Sequence, residues 1–132
     1  MRGNNAPTRA MTADMKRKLL FVVFTNDACR RNHAFMYALA LARPGHQVRL
    51  LLEGEGAQCL REREGRFGEL FAEAHGQGLL AGACKMASSG CQDESRDVTG
   101  IAREIGLPLI DTLDGHTSLE PFVREGYEIV LF

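Results

Sequence analysis

Cys84 and Cys91, separated by six residues in the stretch LLAGACKMASSGC from Leu79 to Cys91, are the residues of this chain best suited to chemistry. An apolar run broken by glycine carries Cys84 to the point where a strand gives way to a turn or helix. Unpaired backbone N–H groups at such a junction stabilise a thiolate, and Lys85 places a positive charge next to it. The small residues of KMASSG allow a loop tight enough to bring the two sulfurs together. That arrangement permits a reversible disulfide, or sulfur passed from one thiol to the other by exchange. The competing reading is a pair of packed, inert side chains, because this spacing is far less specific than Cys-x-x-Cys.

A second group follows the first apolar run. Cys29 lies in the first turn of a helix, flanked by Arg30 and Arg31, with His33 one turn further on. Asn26 and Asp27 are candidates both for capping that helix and for lining a pocket, as are Glu53 and Glu55 in a later loop. Cys59 reads as a core residue. A metal reading draws on Cys84, Cys91, Cys29 and His33, with His75 or His116 as substitutes, and zinc is the ion that such a set fits. No pair has the short spacing of a zinc knuckle. Acyl transfer has no GxSxG elbow and no acid placed to orient a histidine.

These residues need a scaffold, and the 132-residue chain is long enough to bury a core of its own. Its formal net charge is −1, with bases and acids interspersed, so neither nucleic acid nor an anionic membrane is an expected partner. No apolar run reaches the roughly 20 residues that span a bilayer. Residues 1–15, MRGNNAPTRAMTADM, read as a flexible leader or a late alternative start, with one domain over 16–132. Without an export signal the cytoplasm is the expected compartment, where the four cysteines stay free or do chemistry.

KLLFVVFT, Lys18 to Thr25, is apolar without alternation, which suits a central strand covered on both faces. A helix follows with Phe35, Ala38, Leu39 and Ala42 on one side, closed by Pro44 and Gly45. QVRLLLEG is the second strand, and EGEG its exit loop. A charged helix interrupted near Gly65 carries Phe67, Leu70 and Phe71. GLLAGA is the third strand. Asp93 to Gly106 reads as a helix of about three turns, and LPLID as a short fourth strand. Thr117 and Glu120 form an expected capping box with Pro121 in the first turn. YEIVLF closes the chain as a fifth strand.

Such alternation specifies an α/β fold: a three-layer α/β/α sandwich on a central, mainly parallel five-stranded sheet. There is no GxGxxG after the first strand and no Walker loop, so the phosphate cradles of dinucleotide and nucleoside-triphosphate sites are missing. Ligand-binding groups gather at the carboxyl ends of parallel strands. Three segments reach that rim: Asn26 to His33, Glu53 to Gly56, and Cys84 to Cys91.

KLLFVVFTND, GHQVRLLLEGEGA, LLAGACKMASSG and the terminal GYEIVLF together resemble the small DsrE-like sulfur-relay family, over nearly the whole span from Lys18 to Phe132. The resemblance implies a compact flavodoxin-like or DsrE-like domain that assembles into homo-oligomers. It also implies that the cysteine after the third strand, here Cys84, accepts and passes on persulfide sulfur, with no organic cofactor and with a protein or small thiol as donor and acceptor. Cys91, Cys29 and the loop MASSGC depart from the better understood relay members. Cys91 would then resolve a persulfide or protect Cys84 from oxidation. The alternatives are a metal-binding module and an oligomeric protein with a small-metabolite pocket.

Overall fold

The computed structural model describes residues 15–90 and 93–132. Residues 1–14 of the expected leader, and Cys91, lie outside the described residues. Strands β1 (Lys18–Val23), β2 (Gln47–Leu52), β3 (Leu80–Cys84), β4 (Leu109–Ile110) and β5 (Glu128–Leu131) form one sheet in the order β4-β3-β2-β1-β5. Every neighbouring pair is parallel. The helices are α1 (Ala28–Ala42), α2 (Gly65–Gly76), α3 (Lys85–Ser88), α4 (Thr99–Glu104) and α5 (Glu120–Arg124), with 3-10 turns at Gly54–Arg61 and Glu94–Arg96. The α/β sandwich read from the alternating pattern is therefore the fold.

β1 is buried almost throughout because it is covered on both faces. Leu19, Phe21 and Val23 point into the main core with Leu50 and Leu52 of β2, against Phe35 and Leu39 of α1 and Phe67, Leu70 and Phe71 of α2. The Phe67 ring meets Phe35 edge-on, with centroids 5.0 Å apart. Leu20, Val22 and Leu51 face the other way, into a smaller core closed by Ile110, Leu119, Phe122, Tyr127 and Ile129. That second layer contains only the short α5.

Three local expectations are corrected. The EGEG exit loop is instead the start of a 3-10 helix, Gly54–Arg61, because the Glu53 side chain accepts a hydrogen bond from Gly54 N–H and begins a turn at once. The three-turn helix expected over Asp93–Gly106 is divided. The side chains of Asp93 and Asp97 accept from the backbone N–H groups of Ser95 and Thr99, starting two separate turns where one helix would have run on. The Thr117 capping box is absent. Thr117 is buried with its Oγ1 unpaired, and Ser118 Oγ accepts from Glu120 N–H in its place. Pro121 does fall in the first turn of α5.

Gly56 sits where the 3-10 helix abuts the end of β1. A Cβ there would lie 1.9 Å from the Val23 carbonyl oxygen, an overlap that only backbone movement relieves. An added methyl at Gly76, on the exposed end of α2, meets nothing within 4 Å. Gly56→Ala should cost about 3 kcal/mol in urea unfolding, whereas Gly76→Ala should be neutral or stabilising by up to about 1 kcal/mol. Equal effects from the two substitutions would contradict this close approach.

Candidate functional site

The carboxyl ends of three strands bring Glu53, Cys84 and His116 together. Glu53 directly follows β2, Cys84 is the last residue of β3, and His116 lies beyond β4. Their potential ligand atoms, a carboxylate oxygen, the thiol sulfur and an imidazole nitrogen, all lie within 4.8 Å of one another. Among the described residues this is the set that gathers as a potential metal-ligand group.

Cys84 is the N-cap of α3, and its Sγ accepts from Ala87 N–H at 3.5 Å. The thiol also faces the Gly115 carbonyl at 3.7 Å and His116 Nδ1 at 3.6 Å. The sequence LDGH positions that histidine. Asp114 (φ 50°) and Gly115 (φ 88°) are the two central residues of a tight turn in which Leu113 and His116 exchange backbone hydrogen bonds, the type I′ geometry that Asp-Gly favours. Asp111 Oδ1 accepts from Gly115 N–H and ties the turn to the end of β4.

The electrostatics differ from the expectation of an activated thiolate. Cys84 is fully buried, and burial is the largest influence raising its pKa above the ordinary thiol value; Ala87 N–H acts the other way, and the Glu53 carboxylate raises it again. Lys85 does not supply the expected positive charge at the sulfur: its Nζ is held by Asp111 Oδ2 at 3.5 Å, on the surface. A cavity of about 260 Å³ is lined by Lys85, Met86, Ser89, Asp111, Asp114 and Gly115; Cys84 does not line it.

The other sequence-derived residues fall elsewhere. Asp27 caps α1 through Arg30 N–H. Asn26 joins Glu62 and the buried Arg31, whose guanidinium lies 3.9 Å from the centre of the Phe67 ring. These contacts are structural. Glu55 pairs with Arg96. Cys59 is in the core, its pKa pushed up to about 12 chiefly by burial. His75 bonds the Ile105 carbonyl. Cys29 and His33 share a separate cavity of about 380 Å³ with Arg30, Leu131 and Phe132, where β1 and β5 end. There His33 Nδ1 lies 2.7 Å from the Cys29 carbonyl. That contact requires the proton on Nδ1, so this nitrogen cannot also take the Cys29 thiol proton, despite an S–N distance of 3.7 Å. Cys29 and His33 are not members of the Glu53, Cys84 and His116 group.

His116 was legible only as a substitute metal ligand. The Asp-Gly hairpin signal one residue before it, just past a fourth strand, is the feature that would have promoted it. No protein-family model, curated protein sequence or solved structure matches this chain. No helix of the described residues is long and apolar enough to cross a membrane.

Thiol labelling of the native, metal-free protein in a Cys91→Ser background should rank Cys29 first, Cys84 second and Cys59 last, the last reacting only on unfolding. Glu53→Gln removes a carboxylate that raises the Cys84 pKa, so Cys84 alkylation at pH 8 should become faster. Unchanged or slower alkylation in that variant would contradict the assigned electrostatics.

Proposed function

We propose that the protein carries sulfur on Cys84, with His116 as the proton acceptor that activates the thiol. The observation that carries this reading is the Cys84 Sγ to His116 Nδ1 approach of 3.6 Å at the carboxyl rim of a parallel sheet. It accords with the resemblance to sulfur-relay proteins read from the sequence. The Cys84 thiol faces two acceptors, the Gly115 carbonyl at 3.7 Å and His116 Nδ1 at 3.6 Å, and of these only the imidazole is basic enough to take the proton away.

In the forward step the Cys84 thiol passes its proton to His116 Nδ1. The resulting thiolate attacks the outer sulfur of a donor persulfide, R–S–SH. A bond forms between Cys84 Sγ and that sulfur, the donor S–S bond breaks, and R–S⁻ leaves, taking the proton back from the imidazolium. Cys84 then bears –S–SH, and an acceptor thiolate removes the outer sulfur in the same way. Ala87 N–H stabilises the sulfur while it is negative. Burial and the Glu53 carboxylate push the Cys84 thiol up, which favours a carrier that ionises on engagement of its donor over one that stands permanently as thiolate. Donor and acceptor are a protein or a small thiol. β5 ends the sheet with Leu131 exposed, which supports assembly of copies of the chain through that edge.

Incubation of the metal-free protein with a low-molecular-weight persulfide should add about 32 Da at Cys84, removable by reductant. Cys84→Ser should abolish the addition. His116→Ala should slow it by about 100-fold while the fold is retained by circular dichroism. Loading that persists in Cys84→Ser, or is unaffected by His116→Ala, sinks the reading.

A further inference from the structure

Sulfur carriage leaves Glu53 unexplained. A half-buried carboxylate beside a thiol opposes formation of a thiolate, and capping the 3-10 helix needs only its Oε1, which accepts from Gly54 N–H. A positive charge among the three side chains would reverse the sense of that arrangement. The nearby Lys85 does not provide it, since Asp111 engages its ammonium.

We propose that Glu53, Cys84 and His116 form a three-ligand site for a thiophilic divalent cation of the zinc class. The distances fit. A tetrahedral ion with about 2.3 Å to sulfur and about 2.0 Å to nitrogen sets those two ligands about 3.6 Å apart, and Cys84 Sγ and His116 Nδ1 are 3.6 Å apart. The carboxylate oxygen lies within 4.8 Å of both, so a side-chain adjustment of about 1 Å brings it to the similar edge length required for oxygen. Two of the ligands are positioned by backbone structure, Cys84 by the end of β3 and His116 by the Asp114–Gly115 turn. Glu53 supplies the adjustable third.

The donor set also selects the ion. A thiolate and an imidazole with one carboxylate suit zinc or another borderline-soft metal and disfavour magnesium or calcium, which take oxygen ligands. Three protein ligands leave a fourth position for water or a substrate atom. Binding displaces the thiol proton: Cys84–SH and M²⁺ give the metal thiolate and H⁺, with no change of oxidation state. A metal-held sulfur is not free to attack a persulfide, so the two uses of Cys84 exclude each other at any instant. The metal site does not depend on sulfur carriage being correct.

The test is titration of the full-length, metal-free protein, in a Cys29→Ser, Cys91→Ser background, with cobalt(II) as the probe and zinc as competitor. One equivalent of cobalt should bind with a sulfur-to-metal charge-transfer absorption that zinc displaces. Cys84→Ser should remove that absorption. Glu53→Gln and His116→Ala, each checked for an unchanged circular dichroism spectrum, should weaken binding by at least about tenfold. A charge-transfer band that survives Cys84→Ser, affinity unaffected by both Glu53→Gln and His116→Ala, or no binding by the folded protein would each overturn the proposal. Persulfide loading of the same metal-free sample is read separately. Metal binding without loading removes only the sulfur reading, and loading without metal binding removes only this site.

Discussion

The parallel sheet is the constraint from which the rest follows. Parallel strands enter from one rim and leave at the other, so each connection must begin at the same carboxyl edge. Cys84 and His116 are 32 residues apart, about one strand-helix unit, and Glu53 stands one such unit before Cys84. Residues at that period are distant in the chain and adjacent in space. β1, buried from Leu19 to Val23 and covered on both faces, supplies the rigidity that makes this adjacency a defined geometry.

Placement at the rim does not decide what a thiol does there. Cys29, Cys59 and Cys84 illustrate three outcomes of one side chain. The first is exposed beside a histidine whose nitrogen is committed to a carbonyl, and the second is sealed in the core. The third is buried yet surrounded by groups with spare bonding capacity. The cysteine neighbours that sequence makes conspicuous, Lys85 and the paired arginines after Cys29, turn outward or serve packing instead. Charge adjacent in sequence is a poor guide at this rim, because consecutive side chains share a face neither along a strand nor along a helix.

What was legible follows from the same geometry. An apolar run without alternation identified β1, and the 3.6-residue pattern of Phe35, Ala38 and Leu39 identified α1, because burial on the main core is a property of period. The rim position of Cys84 and Glu53 followed from the strand order rule. The partition of Asp93–Gly106 was not legible from periodicity, since Val98, Ile101 and Ala102 keep helical spacing whether or not Asp97 interrupts the backbone between turns. Burial of Cys84 was hidden as well. It depends on a hairpin more than 30 residues later whose Gly115 carbonyl and His116 ring close over the sulfur, a contact that no local pattern encodes.

The two faces of the sheet are unequally covered, and that inequality sets the accessibility of the thiol. The main face is sealed by two helices of 15 and 12 residues, whereas the opposite layer has the five-residue α5, with none of its residues fully buried. The segment that carries His116 over Cys84 leads into this lighter layer. Segments with few buried apolar contacts open at a lower free energy than the whole molecule. Cys84 is thus a latent group: the rate at which outside reagents meet it is its intrinsic reactivity multiplied by the fraction of molecules with the lighter layer lifted. Any partner that holds the 111–127 segment down tunes the chemistry without touching the sulfur.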